Sequence, residues 1–564
     1  MSASNSIVAD LLRRYASAIA LEGADRFKIK AYRRAADSIE ALEQDIGQFI
    51  AAGGDPEDLP GIGKAISLKI REILESGKLP QLERSMARMS PELVELAAHP
   101  ALDSRQVLRV YKKLGISSVP ELRKRLTSGE ILEKLGARID FHIRQGLADR
   151  PRKLLWEVEK LAASVLRYLK RLPDVVDASP VGSLRRKQET VGDLNFVVAT
   201  SRAAAVLGAF ENYGGAIIQA GKGKAKANYR LSSGLVVELV CVKPEMFGLA
   251  LLERTGSQAH WSQLRAFANR KKLSLTGRGL TAKGIDASTE RPLYKALGLR
   301  YIEPELREGR DEVQAAAAKG LPQLITLQDL RGDLHMHTTE SDGANSLLEM
   351  AQAAEERGYE YIAIADHSQS LKITNGLTEK RLLQQMKAID KLNAKLKKLR
   401  ILKAAEVDIL EDGSLDYSDA VLKQLDLTVC SIHSKFSLNR EKQTERILRA
   451  MDNRYFNILG HATGRLLLKR EGYQIDIERL IKHAADAGCY FEINSSPDRL
   501  DLSAEHARLA KEAGIKIAVN TDAHSTRELG FITAGLNQAR RAWLEADDVL
   551  NAMPLSKLLK QLRR

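Results

Sequence analysis

Asp333-Leu334-His335-Met336-His337-Thr338 is the stretch on which the reading of this chain turns. Alternate residues of a β-strand share one face, so His335 and His337 can grip a single ion together. Beyond this segment short apolar runs alternate with amphipathic ones. Strands are expected over 333–337, 361–365, 401–407, 427–431, 456–460, 490–493 and 516–520, with helices such as 347–357 and 378–398 between them. Seven β/α units predict a distorted parallel barrel of the TIM type, short by one unit. Strand C-termini converge on one mouth of such a barrel. Nearly every expected strand delivers a metal-binding residue type there: His335 and His337, then His367, Glu406, His433, His461, and finally Asp522 with His524, while Asp342 follows in the first loop.

A lone histidine at a strand end is usually a satisfied polar residue, but nine coincident placements argue for a metal centre. Imidazole mixed with carboxylate suits Mn²⁺, Zn²⁺ or Fe²⁺ better than Mg²⁺ alone. Nine ligands exceed the needs of one ion, so two or three are expected, with Glu406 as the bridging carboxylate. His335, His337 and Glu406 are then the expected catalytic core of a phosphoesterase. Lys435 in SIHSKF and Arg465 in GHATGR are expected to neutralise phosphate charge beside it.

The rest of the 564 residues is of another character, and the length calls for several folding units. The chain has 87 basic and 73 acidic residues, yet residues 331–564 hold 35 and 34 of them, so nearly all the excess lies before residue 331. A basic half joined to a neutral half suggests that the first holds a polyanion on which the second acts. Eight of eleven histidines fall after residue 330, and an alanine run with Gly320-Leu-Pro before it reads as a linker. No apolar run matches a transmembrane helix, the first residues lack a signal-peptide core, and Cys241, Cys430 and Cys489 are too scattered for a disulfide framework. A soluble, cytoplasmic, nucleoid-associated protein is expected, with no membrane partner.

Within the basic half, LPGIGKAISLKIREIL (59–74) is a Pro-Gly-x-Gly turn followed by an amphipathic helix. Gly61 and Gly63 would let a DNA phosphate approach backbone N–H groups, with Lys64 and Lys69 adding charge. Further on, VGSLRRKQETVGDLNFVVAT places Gly182-Ser183 in a tight turn before Arg185, Arg186 and Lys187, then Asp193 and Asn195 on one strand face. Glu238 on a later strand supplies a third oxygen, the layout of two-metal nucleotidyl transfer.

On these motifs the chain resembles the bacterial X-family DNA polymerases joined to a PHP (polymerase and histidinol phosphatase) domain. The resemblance implies a multidomain fold: a helical lyase-like domain (1–90), a fingers-like helical domain (91–150), an α+β nucleotidyltransferase palm (151–240), a thumb (241–315), a linker (316–330) and the PHP barrel (331–564). It also implies triphosphate binding by Gly182, Ser183 and Arg186, a palm metal at Asp193, substrate contacts at Asn494 and Arg499, and 3′→5′ exonuclease activity in DNA repair. Abasic-site cleavage or removal of 3′-phosphates would accompany that activity.

The palm departs from the family pattern. Asn195 and Glu238 stand where the family has its second and third aspartates, so Mg²⁺ or Mn²⁺ would bind there weakly if at all. Glu253-Arg254-Thr255-Gly256-Ser257 and Trp261 replace the sugar-pocket residues, and Pro100-Ala-Leu-Asp-Ser-Arg105 replaces a second glycine-rich hairpin. Lys69 aligns with the Schiff-base lysine of some relatives, although a phosphate contact is the preferred reading. The expected protein is a monomeric nuclease of gapped, nicked or recessed DNA ends whose palm holds DNA. The alternatives are an active gap-filling polymerase with a proofreading nuclease, a small-molecule phosphatase resembling histidinol phosphatase, and a non-catalytic DNA-end binder.

Overall fold

The computed structural model describes residues 5–99, 102–148, 151–215, 218–277, 279–280 and 285–563. Two compact units divide the chain, Met1–Gly320 and Leu321–Arg564.

The first unit opens with helices whose apolar residues recur at helical spacing. α1 (Asn5–Leu21) and α2 (Arg26–Glu40) bury Val8, Leu12, Ile19, Tyr32, Ala36 and Ile39 in a shared core. Segment 59–74 forms the expected turn and helix: Gly61 adopts φ +85°, where a side chain would be strained, and α3 (Lys64–Ser76) begins directly after Gly63. Ile66, Ile70 and Ile73 anchor α3 in the core, which leaves Lys64 exposed and Lys69 half-buried near the Tyr32 ring, 6.0 Å from its centroid.

A mixed sheet follows, packed against α4 (Leu155–Arg171). Its strands are β1 (Asp177–Pro180), β2 (Asp193–Ala199), β3 (Ile218–Lys222), β4 (Lys226–Arg230) and β5 (Val236–Val242), in the order β1-β2-β5-β4-β3. β2 and β5 are parallel, with Asn195 opposite Glu238. Beyond the sheet, α5 (Phe247–Thr255) and α6 (Gln258–Arg270) carry the Glu253–Ser257 segment and a buried Trp261. No helix among the described residues is long and apolar enough to cross a membrane.

In the second unit, seven parallel strands of the described residues form one sheet in sequence order: β6 (Gly332–Met336), β7 (Tyr361–Ile364), β8 (Arg400–Asp408), β9 (Leu427–Ser431), β10 (Ile458–Leu459), β11 (Tyr490–Asn494) and β12 (Ile517–Asn520). Their burial on both faces is what a parallel sheet covered by helices requires. The barrel nearly closes, because Asp522 N donates to His335 O (2.9 Å) and His337 N to Ala523 O (2.8 Å). Helices return between strands as expected; Ser346 and Glu349, for example, cap the start of α7 (Leu347–Glu356) reciprocally.

One expectation needs correction. The strand over 456–460 shortens to Ile458–Leu459, since Asn457 and Thr428 pair through their side chains (Thr428 N to Asn457 Oδ1, 3.0 Å; Asn457 N to Thr428 Oγ1, 3.1 Å) and displace the regular ladder. The stretch 316–330 contains the division between the two units, after Gly320. Ala316 is buried in the first unit, while Ile325 and Leu330 belong to the barrel core and Ile325 N donates to Leu544 O.

Candidate metal centre at the barrel mouth

Strand ends gather the nine candidate ligands. Among the described residues eight of them form three groups whose ligand atoms lie within 4.8 Å of one another: His337, Asp342, His367 and His524; His335, His337 and Asp522; and His367, Glu406 and His433. The ninth, His461, places Nε2 2.9 Å from Glu406 Oε1. Glu406 lies at the middle, 1% exposed. Its Oε1 is also 3.3 Å from His433 Nε2, and its Oε2 is 2.7 Å from His367 Nδ1, 3.6 Å from His335 Nε2 and 3.7 Å from His337 Nε2.

Acceptors behind the imidazoles decide which ring nitrogen faces inward. Glu492 Oε1 lies 2.7 Å from His335 Nδ1, Asp408 Oδ1 2.9 Å from His433 Nδ1, and the Asp522 carbonyl 2.8 Å from His524 Nδ1. Each of these oxygens only accepts, so the ring proton sits on Nδ1 and Nε2 is left for a cation. Glu492 does more than orient one ring: its carboxylate also accepts from His461 N (2.9 Å), Asn494 Nδ2 (3.1 Å) and Asn520 Nδ2 (3.0 Å). His461 (φ +28°) and Asp522 (φ +54°) take backbone conformations that non-glycine residues rarely adopt, and these bonds hold them there.

Electrostatics follow from this packing. Burial alone would raise Glu406 and Asp522, yet the surrounding imidazoles hold both well below the ordinary carboxylate range. Burial would lower the histidines, but carboxylates overcome it at His433, raised to about 10 by Glu406 and Asp408, and at His524, raised to about 9 by Asp342 and Asp522. His337 goes the other way, to about 4, through burial and the neighbouring His524 and His367. His335 Nε2 and Glu406 Oε2 are buried without a hydrogen-bond partner among the described residues. These two atoms face each other at 3.6 Å, and their mixed N/O chemistry fits a divalent cation.

Residues expected to touch substrate are placed more variously. Arg499 Nε is 3.8 Å from Asp522 Oδ2, at the edge of the centre. Lys435 pairs with Glu411 (2.9 Å) on the surface. The Arg465 guanidinium donates to the carbonyls of Arg499 (3.0 Å) and Leu500, so it braces the loop that carries Arg499. Asn494 bonds Glu492 and Asp522 (3.0 Å), which makes it a support of the ligand cage. Glu492 and Asp408 were not among the expected site residues, although each stands two residues from one that was, Asn494 and Glu406, on the same strand face.

The palm is arranged differently. Asn195 Nδ2 donates to Asp193 Oδ1 (2.8 Å), and Glu238 is paired with Lys226 (2.5 Å) and Arg254 (3.4 Å). Gly182 opens the turn with φ +62°, and Ser183 follows it in a short helix, Gly182–Arg185. The basic run beyond is taken up by carboxylates: Arg185 by Glu290 (2.5 Å), Arg186 by Glu308 (3.0 Å) and Lys187 by Glu159 (2.8 Å). Of the altered second hairpin, Pro100 and Ala101 lie outside the described residues. Asp103 there caps the helix Ser104–Leu114 with its own carboxylate, a poor neighbour for a DNA phosphate.

Glu492→Gln is expected to lower metal retention and hydrolysis by roughly 10–100-fold, the usual cost of losing a partner behind a ligand, with the fold intact. Metal analysis beside circular dichroism checks this; full metal content in the variant would refute it.

Residues 3–79 match the helix-hairpin-helix domain family, 250–308 the DNA polymerase beta thumb and 333–496 the PHP domain. Asp522 and His524 lie beyond the last match. A DNA polymerase/3′-5′ exonuclease PolX of Bacillus subtilis (strain 168) is 36% identical over 567 residues, covering 98% of both chains. A probable phosphatase of Thermoanaerobacter sp. (strain X514) is 32% identical over 245 residues, 41% of this chain and 95% of its own. One from Clostridium acetobutylicum is 28% identical over 208 residues, 35% of this chain and 80% of its own.

Proposed function

Because this chain belongs to the PolX family, we propose that its barrel is a metal-dependent 3′→5′ exonuclease acting on DNA ends that the basic first unit holds. The observation that carries this reading is the cage that Glu406 and eight further ligand residues form. The helix-hairpin-helix and thumb regions support DNA as the substrate, since a small phosphomonoester would need neither. Gapped, nicked or recessed 3′ ends are the preferred targets, and the enzyme works as a monomer. Lys64 serves the DNA backbone from its exposed place at the hairpin, and Lys69 joins it as a phosphate contact.

Two or three ions, Mn²⁺ or Zn²⁺ with Fe²⁺ as a third option, are assigned to His335, His337, Asp342, His367, Glu406, His433, His461, Asp522 and His524. When bound, they supply Lewis acidity that activates water and offsets phosphate charge. The chain's own part is positional. Glu492, Asp408 and the Asp522 carbonyl hold Nδ1 of His335, His433 and His524 outward, so that Nε2 exchanges its proton for a cation without the ring having to turn. Burial keeps His335, His337, Glu406 and His461 dry, which strengthens each charge interaction among them. Arg499, braced by Arg465, is assigned to a phosphate next to the one that is cleaved.

The palm is read as a DNA-holding module. Its Asn195 lacks a charge, and Lys226 and Arg254 already neutralise Glu238. A second reading, active gap-filling synthesis, draws support from the name of the Bacillus relative.

One gel separates the two. A 5′-labelled primer on gapped DNA is incubated with Mn²⁺ and dNTPs, beside His335→Ala/His337→Ala and Asn195→Asp. Shortened primers that vanish with the histidine pair are expected, and Asn195→Asp alone is expected to give no extension, since Arg254 and Lys226 still hold Glu238. Primers lengthened by the unaltered enzyme would establish the second reading instead.

A further inference from the structure

The loop after β9 turns sharply at Lys435 (φ +57°) and presents Phe436 to solvent, 36% exposed, three residues beyond the ligand residue His433. Three residues of chain span at most about 10 Å, so the backbone at Phe436 lies within that distance of the backbone at His433. An exposed phenylalanine at such a place is held deliberately. Tyr473 lies nearly parallel to it, with ring centroids 6.0 Å apart and planes 24° apart, and the Arg470 guanidinium sits 4.7 Å from the Phe436 centroid.

Both supports are tied to the strand end that carries His461. The Tyr473 hydroxyl donates to Ala462 O (2.8 Å), and its backbone N donates to Thr463 O (3.0 Å). Arg470 donates to Gly464 O (2.5 Å), and at Gly464 a Cβ would come within 2.5 Å of the Tyr473 ring. The stack is thus built on the three residues 462–464, which directly follow the ligand residue His461. Lys435, paired with Glu411, precedes Phe436 in the chain, and Arg499 lies at the edge of the centre.

Aromatic rings and arginine planes on a basic track are how proteins hold single-stranded nucleic acid without reading its sequence. We propose that Phe436, with Arg470 against it, is the stacking platform for the base of the 3′-terminal nucleotide while its phosphodiester lies at the metal centre. The inference rests on the exonuclease reading and deepens it: the substrate is a nucleotide end with its base present and unpaired, and the identity of the base matters little.

The test compares single-stranded oligonucleotides that end either in an ordinary 3′ nucleotide or in a 3′-terminal tetrahydrofuran abasic residue. The intact full-length protein, Phe436→Ala and Phe436→Trp are assayed on both in Mn²⁺. The unaltered protein is expected to show a KM roughly tenfold lower for the base-bearing end, from the usual strength of one base stack. Phe436→Ala should lose that preference with KM on the abasic end unchanged, and Phe436→Trp should keep it. An undiminished preference in Phe436→Ala, or an equal loss on both substrates, overturns the platform while the exonuclease reading stands. Failure of the unaltered protein to shorten either oligonucleotide overturns both.

Discussion

Glu406→Gln is expected to strip the barrel of its cations and to lower exonuclease turnover by at least about 100-fold, the upper end of what loss of an outer partner costs. Five imidazoles surround this one carboxylate, three of them within 3.3 Å. In Glu406→Gln the buried negative charge disappears, and an amide that both donates and accepts takes the place of a group that only accepts. Either His433, which faces Oε1, or His367, which faces Oε2, then meets a donor, and the buried negative charge between the imidazoles is gone. Glu406→Asp keeps the charge but withdraws it by a methylene, so partial retention of metal is expected there. Metal analysis and single-turnover hydrolysis of a labelled oligonucleotide provide the check. Wild-type metal content and rate in Glu406→Gln would show that this carboxylate neither binds nor bridges.

Chelation is expected to have the second large effect, on stability. Ions bound to the folded barrel and not to the unfolded chain stabilise it by about 2.7 kcal/mol at a hundred times Kd. For a unit of this size each kcal/mol moves the melting point by about 2–4 °C, so removal should lower the barrel transition by roughly 5–10 °C. The size of the drop should depend on pH. In the cation-free cage His433 and His524 are raised to about 10 and about 9, so the stability they contribute is complete below pH 6.5 and fades as pH rises through those values. Cation binding must displace the same protons and therefore strengthens over the same range. The gap between loaded and stripped protein should widen from pH 6.5 to pH 9. Scanning calorimetry at both values tests this, and a gap that narrows with pH would contradict the assignment of these histidines as ligands.

Sequence alone carried the barrel and its candidate ligands a long way. Each of the strand-borne histidines and carboxylates stands where an apolar run ends, and a parallel barrel brings such ends together whatever the detailed packing. Residue type and strand-end position are local properties, so they can be read locally. The hairpin at Gly61–Lys64 was legible for the same reason, because a glycine with positive φ before an amphipathic helix is a local requirement.

What the tertiary structure alone decided is which charges are spent on one another. Arg186 reads as a phosphate ligand until Glu308, 122 residues away, is found beside it, and Arg465 until its guanidinium is seen on the carbonyls of the next loop. Glu492 looks like any strand carboxylate until His335, 157 residues earlier, turns its Nδ1 toward it. Metal-ligand chemistry belongs to a residue and its place on a strand. Whether a charge is free depends on distances between residues remote in sequence, and those exist only once the chain has folded.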